Sequence, residues 1–160
     1  MQSRISELQS LKTTENKVII QGQANSSLIG VWNVIVNYYD AKRAASASGY
    51  KGLQSAKQRI ANAKKYVSMA PLSNCSDLVI RLNSVAARLE QAHVTYLSSQ
   101  VERLRPYYIY SQSDYDNLAL RISDEIDEYK QNARRIYGRV SNISSLESRA
   151  ANYYTNASFN

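Results

Sequence analysis

The sequence predicts an all-α protein, folded as an elongated antiparallel four-helix bundle with long first and last helices. Apolar residues recur every three or four positions along most of the chain, which is the spacing of amphipathic helices. Only two prolines and five glycines interrupt the 160 residues, and no segment has the pattern of a strand. The length suits one domain over residues 1–160.

The first segment, residues 3–47, predicts a helix roughly 65 Å long. Its apolar seam is interrupted around Glu15, Gly22 and Asn25. Gly22 and Gly30 offer places where another backbone can come close. The residues of this seam are Ile5, Leu8, Leu11, Val18, Ile19, Leu28, Ile29, Trp32, Ile35, Val36 and Tyr39.

Two nearby glycines, Gly49 and Gly52, predict a turn before the second helix, which spans residues 53–69. Lys57 and Lys64 are seven residues apart and share one helical position beside the apolar stripe. One face of this helix therefore packs, and the rest is basic. The stripe consists of Leu53, Ala56, Ile60, Ala63 and Val67.

A loop at residues 70–74 precedes the third helix, which begins at Ser76 or Asp77 and runs to Arg105, where Pro106 ends it. Side chains of the third helix that recur at core spacing are Leu78, Leu82, Val85, Leu89, Ala92, Tyr96, Val101 and Leu104.

The last helix begins at Ser111 or Ser113, and Asp114 and Asp116 suit its N-terminal dipole. Its seam keeps close to a heptad for roughly thirty residues. The short connections predict antiparallel packing, and the longer outer helices leave a free apolar seam for oligomerisation. The seam consists of Leu118, Ile122, Ile126, Tyr129, Ala133, Ile136, Val140, Ile143 and Ala150.

The net charge of +7 comes from one segment, because seven basic residues and no acidic ones lie between Asp40 and Asp77. The remaining 13 Lys and Arg equal the 13 Asp and Glu. A basic hairpin at 42–65 is therefore the candidate contact for an anionic partner, in particular nucleic-acid backbone. The candidate residues are Lys42, Arg43, Tyr50, Lys51, Lys57, Arg59, Lys64 and Lys65.

Two other interpretations of the hairpin remain open. Its cations can pair with the acidic turn at 124–128 of the same or a neighbouring subunit, or they can form a solvated face. If nucleic acid is the partner, Tyr50 can stack on a base.

The chain has thirteen tyrosines but one Trp and one Phe. Tyrosine is enriched in contacts between subunits, although it also suits the edge of a narrow core. The candidate residues for a homo-oligomer interface are Tyr107, Tyr108, Tyr110, Tyr153 and Tyr154.

No catalytic, metal or cofactor site is expected. Glu90 and His93 have the E-x-x-H spacing of di-iron bundles, which need two such motifs, and the chain has one histidine. The carboxylates at 124–128 have Arg121 and Lys130 within helical pairing distance. Cys75 has no base clearly placed to activate it.

The sequence leaves the compartment open. No signal peptide or membrane span is visible, so a complete chain is expected inside a cell or in a virion. A domain excised from a longer protein can instead be extracytoplasmic.

The leading functional prediction is a non-enzymatic structural subunit, coat- or scaffold-like, that self-associates and holds an anionic partner through the basic hairpin. One alternative is an extracytoplasmic four-helix ligand-sensing domain of chemoreceptor type. Another is a helical adaptor that binds a partner protein through the free seam.

Overall fold

The computed structural model describes residues 2–40, 49–69, 76–105 and 111–157. The prediction of an all-α protein is confirmed over these residues, which contain no strand. Their helices are α1 (Gln2–Asp40), α2 (Gly49–Met69), α3 (Ser76–Glu102), α4 (Gln112–Tyr137) and α5 (Ser144–Asn156).

α3 lies at the centre of the fold, because α1, α2, α4 and α5 all pack against it. α2 also packs against α1 and, less extensively, against α4. The buried apolar side chains form one continuous cluster, which includes the predicted stripes of α2 and α3. Of those stripes only Val67, at the end of α2, is half-buried.

Helices that are consecutive in the chain run in opposite directions, as α1 and α2 show. Gly30 of α1 lies beside Arg59, and Val34 lies beside Gly52, so α1 and α2 are antiparallel. Gly30 is where α1 accommodates a neighbour, because a Cβ there would collide with the Arg59 side chain. Nothing lies within 4 Å of a Cβ built at Gly22.

α1 extends beyond the ends of its neighbours. Counted from the contacts with α2, Met69 lies level with about residue 20 of α1 at 1.5 Å per residue. The first buried side chain that the structure describes in α1 is Ala24. We call residues 2–23 the N-terminal arm; its length is roughly 33 Å.

The α1 seam predicted as one stripe is divided between two faces. The core face is formed by Ala24, Leu28, Val31 and Ile35. The other face is exposed to solvent. Its exposed large apolar side chains are Ile5, Leu8, Val18, Ile19, Ile29 and Trp32.

The predicted turn at Gly49–Gly52 is wrong, because both glycines belong to α2. Gly52 faces Val34 at ordinary contact distance, 3.7 Å from a built Cβ. Packing of α2 against α1 at this position outweighs the low helix propensity of glycine, so Gly52 stays in the helix.

The single long last helix is also wrong, because the chain breaks at Gly138. This glycine has φ 75° and its N–H donates to Arg134 O, which is a left-handed helix end. The start is as predicted: Ser111 is the N-cap, and its Oγ accepts from Asp114 N at 3.2 Å. α5 then returns along α4, where the Tyr154 hydroxyl donates to Asp116 at 3.2 Å.

Gly138→Ala should lower the free energy of unfolding by about 1 kcal/mol, because a side chain is strained at positive φ. Gly52→Ala is the matched control. It should leave stability unchanged or raise it by up to about 1 kcal/mol, since the site is helical and has room. Urea unfolding followed by circular dichroism measures both, and equal effects would contradict the assignment of Gly138 as the helix end.

Candidate functional site

The Glu128 carboxylate of α4 gathers three side chains from the first half of α2. Gln54 Nε2 donates to Oε1 at 2.9 Å, and Lys57 Nζ forms an ion pair with the same oxygen. The Tyr50 hydroxyl donates to Oε2. These donors lie three or four residues apart, so they share one face of α2.

The pair Lys57–Glu128 is partly removed from water. Lys57 is 7% exposed, and burial together with the charge of Arg135 lowers the pKa of its ammonium group. Burial also raises the pKa of Glu128. Each charge is costly by itself, and the ion contact offsets the desolvation of both.

The cations predicted to contact an anion therefore divide into two groups. Lys57 pairs with the acidic turn of the same chain, and Lys64 Nζ donates to Ile136 O at 2.7 Å. Lys51, Arg59 and Lys65 are exposed. Lys42 and Arg43 lie outside the described residues.

A row of polar side chains is buried along α3. They are Glu90, His93, Tyr96 and Gln100, each at most 1% exposed. Glu90 Oε1 accepts from the Tyr129 hydroxyl and, at 3.2 Å, from Ser141 N.

The remaining oxygen of Glu90 faces Arg139, whose Nε lies 3.5 Å from Oε2. Tyr129 keeps its proton, since burial and the hydrogen bond to Glu90 raise its pKa to about 12. The segment after Gly138 thus closes over Glu90 and supplies both Ser141 and Arg139.

His93 is neutral in this setting. Burial, and then the nearby charge of Lys57, lowers its pKa to about 4. Its Nδ1 lies 2.7 Å from the Tyr137 hydroxyl, while Nε2 has no hydrogen-bond partner among the described residues. The ring packs edge-on against both Tyr129 and Tyr137.

Farther along α3, Tyr96 donates to Glu125 Oε2 at 3.0 Å. Arg121 lies 3.6 Å from the other oxygen of Glu125 and also donates to Gln100 Oε1 at 3.1 Å. Burial raises the pKa of Glu125, although the hydrogen bond from Tyr96 and the charge of Arg121 act in the opposite direction.

An open cleft of about 580 Å³ lies between α2 and α4 and reaches Tyr96 of α3. Its charged lining consists of Asp124, Glu125 and Glu128 against Lys51 and Arg121. Three carboxylates against two cations do not favour an anionic small molecule. The cleft is best explained as the solvent-facing end of the polar packing around Glu128.

A second groove, of about 650 Å³, separates α1 from α3 and is mainly apolar. Ile29 and Trp32 line one wall, and Ile80 and Arg81 line the other. The guanidinium of Arg88 lies 4.9 Å from the centre of the Trp32 ring, which orients the indole.

The predicted interface tyrosines differ in placement. Tyr153 is half-buried, and its hydroxyl accepts from Arg105 Nε at 3.2 Å. Tyr154 is exposed on one side and stacks on Tyr115 on the other, with ring centres 5.9 Å apart. Tyr107, Tyr108 and Tyr110 lie outside the described residues.

Sequence reasoning missed that Glu90 and His93 belong to the core. The available signal was a second heptad-spaced row along α3 and the turn after it, which mixes apolar and polar members. That row is Ala86, Glu90, His93, Leu97, Gln100 and Leu104, and all of its members are buried.

Over the residues described, no three His, Cys, Asp or Glu side chains come together as a metal site. In the same residues, every helix is too short or too polar to cross a membrane. Comparisons with protein-family models, curated proteins and solved structures find no match.

Glu128→Gln should lower the free energy of unfolding by about 2 kcal/mol, because it leaves the buried Lys57 ammonium without its counter-charge. The double variant Lys57→Met/Glu128→Gln should recover part of this loss. Lys65→Met, at an exposed lysine of the same helix, is the control and should change stability by less than about 0.5 kcal/mol. The pairing is contradicted if the losses of unfolding free energy caused by Lys57→Met and Glu128→Gln alone, measured in urea, add up to the loss in the double variant.

Acid should destabilise the fold through His93. Because its folded pKa of about 4 lies below the unfolded value of 6.5, the unfolded chain binds the proton first as pH falls. Stability should drop by about 2 kcal/mol between pH 7 and pH 5 from this residue alone.

The His93→Gln variant isolates this contribution to the pH dependence. The groups facing the ring, Lys57 from α2, Glu90 from α3 and Tyr129 and Tyr137 from α4, remain in both proteins. The difference in unfolding free energy between the two proteins should therefore shrink toward pH 5. A constant difference across pH would show that the ring titrates normally.

Proposed function

We propose that this protein is a non-enzymatic structural subunit, coat- or scaffold-like, that self-associates through α1 and holds nucleic-acid backbone through the exposed cations of α2. The observation that carries the proposal is the solvent-facing apolar side of α1. Leu8 is 66% exposed and Trp32 is 42% exposed. An apolar surface that runs along a helix of 39 residues needs cover, and an interface supplies it.

In this proposal, the subunit is built on an antiparallel four-helix arrangement of α1 to α4. α1 to α4 alternate in direction, and α5 folds back against α3 and α4 as an addition. The arm of α1 then leaves the packed part of the subunit and is free to reach a neighbouring subunit.

The anion-binding part is supported by the cations that the fold leaves outside. Lys51, Gln58 and Lys65 recur every seven residues, and Arg59 lies next to this line. All four are exposed, and α2 contains no acidic residue. The line from Lys51 to Lys65 spans roughly 21 Å, enough to follow several phosphates.

A combined sedimentation and titration experiment tests both parts. The protein alone should increase in mass with concentration. Labelled duplex DNA should bind with a logarithmic salt slope of about −3 for the three described cations, or more if Lys42 and Arg43 contribute.

The variant Lys51→Gln/Arg59→Gln/Lys65→Gln should flatten the salt slope. The matched control changes two exposed cations of α4, Lys130→Gln and Arg134→Gln, and should bind as the parent does. A monomer at every concentration would overturn self-association. Absence of DNA binding at low salt would overturn the nucleic-acid part and leave a protein-binding adaptor.

A further inference from the structure

The exposed apolar residues of α1 lie on one stripe. Leu8 and Ile29 are 21 residues apart, while Ile5–Ile19 and Val18–Trp32 are pairs 14 residues apart. Separations that are multiples of seven place these side chains at three neighbouring heptad positions. The stripe is distinct from the core face, which begins at Ala24.

The stripe is also symmetric along the helix. Ile5 lies 13 residues before Val18, and Trp32 lies 13 residues after Ile19. Leu8 lies 10 residues before Val18, and Ile29 lies 10 residues after Ile19. The midpoint between Val18 and Ile19 is therefore a centre about which every exposed large apolar residue described in α1 has a counterpart.

We propose that α1 pairs with α1 of a second copy of this chain, antiparallel, about a two-fold axis between Val18 and Ile19. In a two-fold interface each contact occurs twice, so the spacing must be self-complementary. Ile5 then meets the partner subunit's Trp32, and Leu8 meets the partner subunit's Ile29. This inference rests on the proposed self-association and specifies its geometry.

In this arrangement the N-terminal arm enters the partner's groove between α1 and α3. The groove is lined by Ile29, Trp32 and Ile80, which accept the arm's apolar side chains. Each subunit contributes six large side chains that are at least two-fifths exposed. Covering all twelve buries on the order of 1,000 Å², the size at which specific interfaces begin.

Two acidic residues of the arm align with two arginines of α3 in the same register. Glu7 and Glu15 are the acidic residues of α1 before Asp40, and they lie eight residues apart, about 12 Å. The exposed arginines of α3, Arg81 and Arg88, are seven residues apart, about 10.5 Å.

The contact of Arg88 with Trp32 fixes how these charges align. α1 and α3 are both antiparallel to α2, because Tyr50 stacks on Tyr96 while Lys57 lies near His93. Arg81 therefore lies about level with residue 25 of α1. The two-fold axis brings the partner's Glu7 level with residue 30, near Arg88.

The same axis brings the partner's Glu15 level with residue 22, within a turn of Arg81. Both offsets are about 3 to 5 Å along the helix, within the reach of an arginine side chain. The apolar symmetry selects this register. The charges do not select it by themselves, because the same axis brings the partner's Arg4 level with residue 33 and the partner's Lys12 level with residue 25.

Disulfide trapping in a Cys75→Ser background tests the register. Leu8→Cys/Ile29→Cys should form a covalent dimer on mild oxidation, because the two positions meet across the axis. Each single cysteine variant is the control and should stay uncrosslinked, since position 8 lies about 31 Å along the axis from its own copy. Crosslinking by Leu8→Cys alone would show a parallel pair and overturn the proposal.

Charge exchange tests the recognition. The variants Glu7→Lys/Glu15→Lys and Arg81→Glu/Arg88→Glu should each raise the dimer dissociation constant at least tenfold. Mixed together they should form a heterodimer about as tight as the parent dimer, because every repulsive pair becomes attractive. Circular dichroism should show unchanged helix content.

These experiments separate the geometry from the proposed function. If the parent protein remains a monomer, the proposed self-association fails and this pairing fails with it. If the parent is an oligomer, but the double cysteine variant does not crosslink or the mixed charge variants do not recover, only this pairing is wrong.

Discussion

The central position of α3 is the constraint on which the rest of the fold depends. Four helices pack against it, so about half of its described side chains are buried. Glu90, His93 and Gln100 are among them. A buried polar group needs partners, and α4 and the segment after Gly138 provide part of them. His93 Nε2 and Gln100 Nε2 have no hydrogen-bond partner among the described residues. The break at Gly138 therefore has a packing consequence, because it brings Ser141 and Arg139 to Glu90.

Contacts between α4 and α2 determine which face of α2 is exposed. Glu128 binds Tyr50, Gln54 and Lys57, which turns one face of α2 toward α4. Cations on that face take part in internal contacts, and cations one or two positions away remain in solvent. The basic residues of α2 therefore fall into two groups. Lys57 and Lys64 bind other parts of the same chain, and Lys51, Arg59 and Lys65 remain exposed.

Most of the core of α2 and α3 could be predicted from the sequence, because an unbroken heptad stripe has one way to be buried. The candidate site could be predicted only in part. The pairing of the basic segment with the acidic turn was one of the open alternatives, and Lys57–Glu128 realises it. The burial of Glu90 and His93 was missed, because such residues on a helix usually indicate a solvated face, although their heptad spacing with buried apolar residues was a signal.

The glycines show most clearly what could not be predicted from the sequence, because the same residue type ends α4 at Gly138 and continues α2 at Gly52. The sequence by itself determined the helical class, the place of the charge excess and the stripes that pack. Only the tertiary structure decided which of two apolar faces of α1 is buried. The physical reason is that periodicity is a local property, whereas burial depends on how far the neighbouring helices extend. α2 ends level with about residue 20 of α1, so Val31 is covered while Val18 is not.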